Sequence, residues 1–106
     1  MRFLKEGLVH MFIVSLHYKV DLVEVERLMP AHLVFLEACY ANGVFIASGR
    51  KEPRTGGIIL AKALNLEVLN KVLAKDPFQI AGIADYEITE FIPTMVAEGF
   101  ESLKES

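Results

Sequence analysis

The sequence predicts a small α+β domain with the element order β-α-β-β-α-β. Its 106 residues suffice for one domain and exclude a TIM barrel or a complete dinucleotide-binding fold. Segments with the two-residue period of strands alternate with segments of helical period. Counting Gly but not Tyr, apolar residues make up about 57% of the chain, against a typical ~45–50%. This surplus predicts a second interface, with another copy of the chain.

The first half of the chain predicts a strand and then a helix. Residues 11–18, MFIVSLHY, are rich in β-branched and aromatic side chains that alternate between two faces, as in a central strand. Asp21 and Glu24 have the spacing of a capping box, which predicts the start of a helix. An apolar stripe then recurs at steps of three or four residues: Leu28, His32, Phe35, Leu36 and Cys39. Asn42–Gly43 predicts the helix end, and Pro30 predicts a kink or a helix that restarts there.

The second half predicts a hairpin, a helix and a last strand. Residues 44–47 and 58–63 are short apolar runs, and the loop between them, 48–57, is dense in turn-formers and charge. Asn65 is typical of a helix cap, and the apolar positions Leu66, Leu69, Val72 and Leu73 are expected to face the sheet. Asp76–Pro77 should end this helix. Residues 83–92 predict a strand with Ala84, Tyr86 and Ile88 pointing inward.

This order is the split βαβ or ferredoxin-like arrangement, in which two helices cover one face of an antiparallel sheet. The other face needs a cover, and pairing two sheets in a dimeric α+β barrel would supply it. We interpret residues 1–10 as an N-terminal extension, 11–95 as the domain and 96–106 as a C-terminal tail.

Charge and cysteine content limit the classes of partner and compartment. The net charge of −3 gives no positive field to hold nucleic acid. No run approaches the ~20 apolar residues of a membrane span, so no membrane partner is expected. The single Cys39 cannot form an internal disulfide, and the first residues lack the pattern of a signal peptide. We therefore expect a cytoplasmic protein.

Two residues are candidates for acid–base chemistry. An imidazole at His32, on an apolar helix stripe, would be partly desolvated and able to move a proton, although a satisfied core histidine is the structural alternative. Asp76 before Pro77 is a natural N-cap, and a buried carboxylate there could also orient an imidazole. The three histidines have no metal-ligand spacing, and no cofactor follows from the sequence.

The hairpin loop is a candidate anion site. Arg50, Lys51, Glu52 and Arg54 carry three positive charges and one negative, inside an acidic chain. Arginine binds carboxylates through a planar fork, and backbone N–H groups around Gly56 and Gly57 could form a small anion cradle. Ser48, beside this loop, could orient a ligand, and His17 could lie where a cleft opens. The alternative is a solvated hairpin tip or an arm that contacts a neighbouring subunit.

Several motifs occur in the order seen in one family. These are Met11–Leu16, His32 followed by Leu33, Phe35 and Leu36, Ser48–Gly49–Arg50, Pro53–Arg54–Thr55–Gly56–Gly57, and Asp76–Pro77–Phe78. Over residues 11–93 the chain resembles the YCII-related family of small α+β-barrel proteins. The resemblance implies a catalytic His–Asp pair in a cleft, here His32 and Asp76. Proteins with the same barrel act on small aromatic or quinoid acids as isomerases, lyases or dehydrochlorinases, so the resemblance also implies chemistry of this kind.

Two hypotheses of different classes follow. In the first, the protein is a small dimeric enzyme that binds a phenolic, quinoid or keto/enol acid. His32 would then be the general acid/base, Asp76 would orient it, and Arg50 or Arg54 would hold the negative charge during isomerisation or elimination. In the second, the protein is a non-catalytic ligand-binding or homo-oligomeric assembly module, and side chains fill the surroundings of His32 and Asp76.

Overall fold

One four-stranded antiparallel sheet organises the chain in the computed structural model, which describes residues 10–104. The elements in chain order are β1 (His10–Tyr18), α1 (Leu22–Ala41), β2 (Phe45–Arg50), β3 (Gly56–Ala63), α2 (Leu66–Leu73), α3 (Pro77–Ile80) and β4 (Ala84–Phe91), with a 3-10 turn over Glu101–Leu103. The sheet order is β2-β3-β1-β4. This confirms the predicted α+β, ferredoxin-like fold. The extension predicted for residues 1–10 lies outside the described residues except for His10, which begins β1.

The central strand β1 carries the core because its alternation matches burial. Phe12, Val14 and Leu16 are fully or almost fully buried under the helices. Val14 pairs with Ile59 of β3 on one side and Ile88 of β4 on the other, and paired residues share a sheet face. The helix-covered face is therefore an apolar layer that runs across the sheet.

Helix α1 is one continuous element, so of the two alternatives at Pro30, a kink or a restarted helix, the restart was wrong. The buried stripe continues on both sides of Pro30, from Val25 to Cys39, and its burial outweighs the missing N–H. Asp21 is at the N-cap as expected, but its side chain makes no capping hydrogen bond, so the capping box was wrong. Gly43 follows the C-cap at a φ of 84°, a conformation that favours glycine. No helix within residues 10–104 is long and apolar enough to cross a membrane.

The two shorter helices cover the other part of the sheet. Asn65 caps α2 by accepting the Val68 N–H at 2.8 Å, as predicted. Leu69 and Leu73 are buried, whereas Leu66, expected to face the sheet, is exposed because it lies in the first turn. The segment after the predicted helix stop at Asp76–Pro77 forms the short helix α3.

Strand β2 is longer than predicted and shortens the loop after it. Ser48, Gly49 and Arg50 continue the antiparallel pairing with β3, so the loop spans residues 51–55. Strand β2 is at the edge of the sheet and needs a hydrogen-bonded partner on only one side. Residues that favour turns can therefore remain paired with β3. By register with Ile59 and Gly57, Ser48 and Arg50 share the helix-covered face.

The opposite sheet face is only partly covered. Met11 of β1 lies on it and is buried. Ile13 of β1 and Ile58 of β3 are both exposed on this face, each with about 38% of its surface accessible. Asp85 and Glu87 of β4 lie on the same face. It is thus mixed, with apolar residues toward the centre and acidic residues along the β4 edge.

Candidate functional site

His32 and Asp76, 44 residues apart in sequence, are in direct contact. Nδ1 of His32 lies 2.7 Å from Oδ1 of Asp76. The imidazole also stacks on the ring of Phe78, with centroids 3.8 Å apart and planes within 3° of parallel. One hydrogen bond and one stacking contact therefore fix the orientation of the imidazole.

Asp76 is a fully buried carboxylate with three hydrogen-bond donors. Besides His32, its Oδ1 accepts the backbone N–H of Phe78 at 3.0 Å, which caps α3. Its Oδ2 accepts the hydroxyl of Tyr86 at 2.5 Å. The capping role and the contact with an imidazole, weighed separately from the sequence, thus occur together.

This carboxylate determines the tautomer of the neutral imidazole. A carboxylate accepts hydrogen bonds, so Nδ1 of His32 carries the donated hydrogen and Nε2 is left with its lone pair. Among residues 10–104, nothing forms a hydrogen bond with Nε2. Every buried side-chain nitrogen in this range has a hydrogen-bond partner, so Nε2 is not a buried atom. Nε2 is therefore accessible, and His32 contributes to the wall of a cavity.

Tyr86 is a site residue that the sequence analysis did not select. Its only signal was an inward position on the last predicted strand, and the register places it opposite Leu16 on the helix-covered face. Burial raises the pKa of the Tyr86 phenol far above its ordinary value, and the hydrogen bond to Asp76 raises it further. The hydroxyl therefore stays protonated and donates to Asp76.

The cavity beside His32 has a volume of about 500 Å³. It lies between α1 and the strands β1, β2 and β3, and Phe78 of α3 also lines it. Its lining combines apolar walls with a few polar groups: Leu16, Tyr18, Glu26, Met29, His32, Leu33, Leu36, Ser48, Gly49, Arg50, Arg54, Gly57, Ile58, Ile59 and Phe78. Pockets of this size and composition accommodate small organic ligands.

Both predicted arginines reach this cavity, but their surroundings differ. Arg54 Nη1 contacts Glu26 Oε2 of α1 at 2.6 Å, and this hydrogen bond is the main reason that the pKa of Arg54 is raised. The Arg50 side chain is 72% exposed and only 4.0 Å from Glu52. The sequence analysis missed Glu26, because nothing local indicates that α1 approaches the hairpin loop.

The remaining predicted ligand-binding residues divide into two groups. Ser48 and Gly57 line the cavity, and the Ser48 hydroxyl lies 2.6 Å from the hydroxyl of Tyr40. Gly56 does not line it; a Cβ there would lie 1.7 Å from the carbonyl oxygen of Leu16, so this glycine permits close packing of two strands. His17 lies on the opposite sheet face and does not line this cavity, but it does line a second cleft together with Asp21 and Arg54.

The Cys39 thiol and the potential metal ligands are two further kinds of group that could take part in chemistry. Cys39 is buried, as expected for a core residue, and desolvation followed by the charge of Asp76 raises the pKa of its thiol. Within residues 10–104, no group of three or more His, Cys, Asp or Glu side chains is arranged to hold a metal ion.

A family comparison covers the sheet and all of the residues that form this cavity. The family model of the YCII-related domain matches residues 11–92. The chain belongs to the YCII-related family. No curated protein matches the sequence.

A solved structure shares the fold. It is 5-chloro-2-hydroxyhydroquinone dehydrochlorinase from Burkholderia phenoliruptrix AC1100, in complex with 2,5-dihydroxybenzoquinone. The two chains are 19% identical and superpose with a TM-score of 0.65, over 74% of this YCII-related chain and 90% of the other. At this identity the likeness establishes the shared fold.

Proposed function

We propose that this YCII-related protein is an enzyme that transfers protons on a small anionic phenol, quinoid compound or keto/enol acid. The observation that carries the proposal is the buried His32–Asp76 pair, with the accessible Nε2 of His32 at a cavity of about 500 Å³. The assembly alternative expects this space to be filled by side chains, so an open cavity supports the enzyme.

In the proposed mechanism His32 is the general acid/base. Nε2 accepts a proton from a phenolic hydroxyl or from a carbon next to a carbonyl. Asp76 stabilises the imidazolium that forms, and it holds the ring in place. Returning the proton to another ring atom gives an isomer. Elimination instead releases one halide ion and one proton per molecule, leaving a quinone.

The arginines supply the binding of negative charge. Arg50 and Arg54 lie on the cavity wall together with Ser48 and Gly57, and the apolar residues of α1 would contact a flat ring. The dehydrochlorinase that shares the fold acts on a chlorinated hydroxyhydroquinone, which supports a substrate of this class.

Chloride release tests the proposal. The full chain is incubated with a panel of chlorinated hydroxyhydroquinones and phenols, while a chloride electrode and the absorbance of the quinone product are monitored. We expect release above the buffer rate for at least one compound, and release at the buffer rate for His32→Gln. If no compound is turned over and none raises the melting temperature, the non-catalytic assembly module is favoured instead.

We also propose that the open sheet face pairs with a second copy. Ile13 is exposed there although it lies on the central strand, and apolar surface of this kind is typical of interfaces. Sedimentation velocity should give twice the chain mass of 11.9 kDa. Ile13→Asp should return the protein to a single chain with unchanged circular dichroism. A wild-type protein that sediments as one chain at all concentrations would contradict this proposal.

The free thiol of Cys39 is relevant to the cellular compartment of the protein. Cys39 is buried and unpaired. It requires no oxidising environment, which supports the proposed cytoplasmic location.

A further inference from the structure

The formally charged residues of the cavity wall sum to a single positive charge. They are Glu26, Arg50 and Arg54. Arg50 is the more exposed cation and makes only a 4.0 Å contact with Glu52. Arg54 is less exposed and is held by Glu26 at 2.6 Å. One arginine is thus available to a ligand, while the other already has an anionic partner.

We propose that Glu26 is a specificity-determining residue that reduces the preference of the cavity for ligands with two negative charges over ligands with one. This inference rests on the proposed function, because it assumes that the cavity binds a small anionic molecule. A ligand between the arginines lies in the repulsive field of Glu26, and Coulomb energy is proportional to the charge of the ligand. The penalty is therefore smaller for a monoanion than for a dianion.

The position of Glu26 fits this role better than a purely structural one. Glu26 is on α1, six residues before His32, and its side chain is 55% exposed although it contacts Arg54. An ion pair this exposed contributes little to stability. Its carboxylate nevertheless lies on the same cavity wall as His32, where it acts on the charge of a bound ligand.

Calorimetric titration of the full chain with three matched probes tests the inference. Benzamide is neutral, benzoate has one negative charge and terephthalate has two. In Glu26→Gln, which keeps the shape of the side chain, benzoate should bind about fivefold more tightly, the upper range for one exposed pair. Because the second carboxylate of terephthalate also lies in the field of Glu26 but farther away, terephthalate should gain more than benzoate, by up to about 25-fold, with benzamide unchanged.

Glu24→Gln is the matched control. It removes the carboxylate of a neighbouring ion pair on the same helix, Glu24 with Arg27 at 3.3 Å, away from the cavity wall. This variant should bind all three probes as the wild type does. Terephthalate and benzoate affinities that change by the same factor in Glu26→Gln, or weaken together with that of benzamide, would overturn the role of Glu26.

The titration separates this inference from the proposed function. Binding is measured without turnover, so an inactive protein still gives a result. Anions that bind with an unchanged charge preference refute the selectivity and leave the anion site intact. Failure of both anions to bind wild type and Glu26→Gln at millimolar concentration removes the anion site and, with it, the inference.

Discussion

Within residues 10–104 there are two histidine–carboxylate pairs, and one of them, His32–Asp76, contributes its histidine to the wall of the cavity. His10, at the start of β1, contacts Glu90 of β4 through Nδ1, the same ring atom by which His32 contacts Asp76. The side chains of the first pair are 30% and 38% exposed, against 9% and 0% for the second. The same two chemical groups thus occur once at the surface and once in the interior.

The difference between the two pairs lies in their surroundings and not in the contact itself. Water can replace either partner of the surface pair His10–Glu90. Water cannot replace the donors to Asp76, so its three hydrogen bonds determine where the carboxylate and the imidazole point. The buried pair is therefore preorganised, and the cavity gives a ligand access to Nε2 of His32.

Removing the two carboxylates should give the largest contrast. Asp76→Ala deprives three donors of their buried acceptor and removes the cap of α3. We expect it to lower the free energy of unfolding by about 3–5 kcal/mol. Glu90→Ala should lower it by less than about 1 kcal/mol, because its partner is exposed. Urea denaturation measures both, and equal losses would contradict the contrast.

Removing the Tyr86 hydroxyl should have a smaller effect, with a distinctive pH dependence. Tyr86→Phe leaves Asp76 with two donors and should lower the free energy of unfolding by about 1–2 kcal/mol at neutral pH. Because burial raises the pKa of Tyr86, the unfolded chain loses this proton at a lower pH than the folded one. In the wild type, the contribution of Tyr86 to the free energy of unfolding is therefore fully present below a pH of about 10. It is lost as the pH rises further.

Melting temperatures at neutral and alkaline pH check this dependence. The alkaline decline should be smaller in Tyr86→Phe than in the wild type. Tyr40→Phe is the control, since Tyr40 is exposed and bonds to Ser48. It should keep the full decline, and an identical decline in both variants would show that Tyr86 does not contribute.

Local patterns predicted the parts of the molecule that local forces determine. The alternation in β1, the Asn65 cap and the helix end at Asn42–Gly43 each depend on residues within one element. The capping role of Asp76 is also local, since it involves the next two residues. Such features follow from backbone geometry and the period of apolar residues.

These local patterns did not predict contacts between segments that are distant in the sequence. Tyr86 reaches Asp76 only because β4 pairs with β1 beneath α3, and Glu26 reaches Arg54 only because α1 lies over the hairpin. The loop prediction was wrong at Ser48–Arg50 because pairing with β3 outweighs local turn preference. The placement of His17 likewise depends on which sheet face the helices cover. In each case tertiary packing decides the outcome.

The most direct test of the account compares the two histidines. On a substrate from the chloride-release panel, His32→Gln should lower kcat by about 10²- to 10⁴-fold, the usual contribution of a general acid/base. Its dissociation constant for the substrate should change little, since Arg50 and Arg54 remain. His10→Gln, the same substitution in the surface pair, should keep kcat within about twofold. Equal kcat in the two variants, or a loss in His32→Gln that follows unfolding alone, would contradict proton transfer by His32.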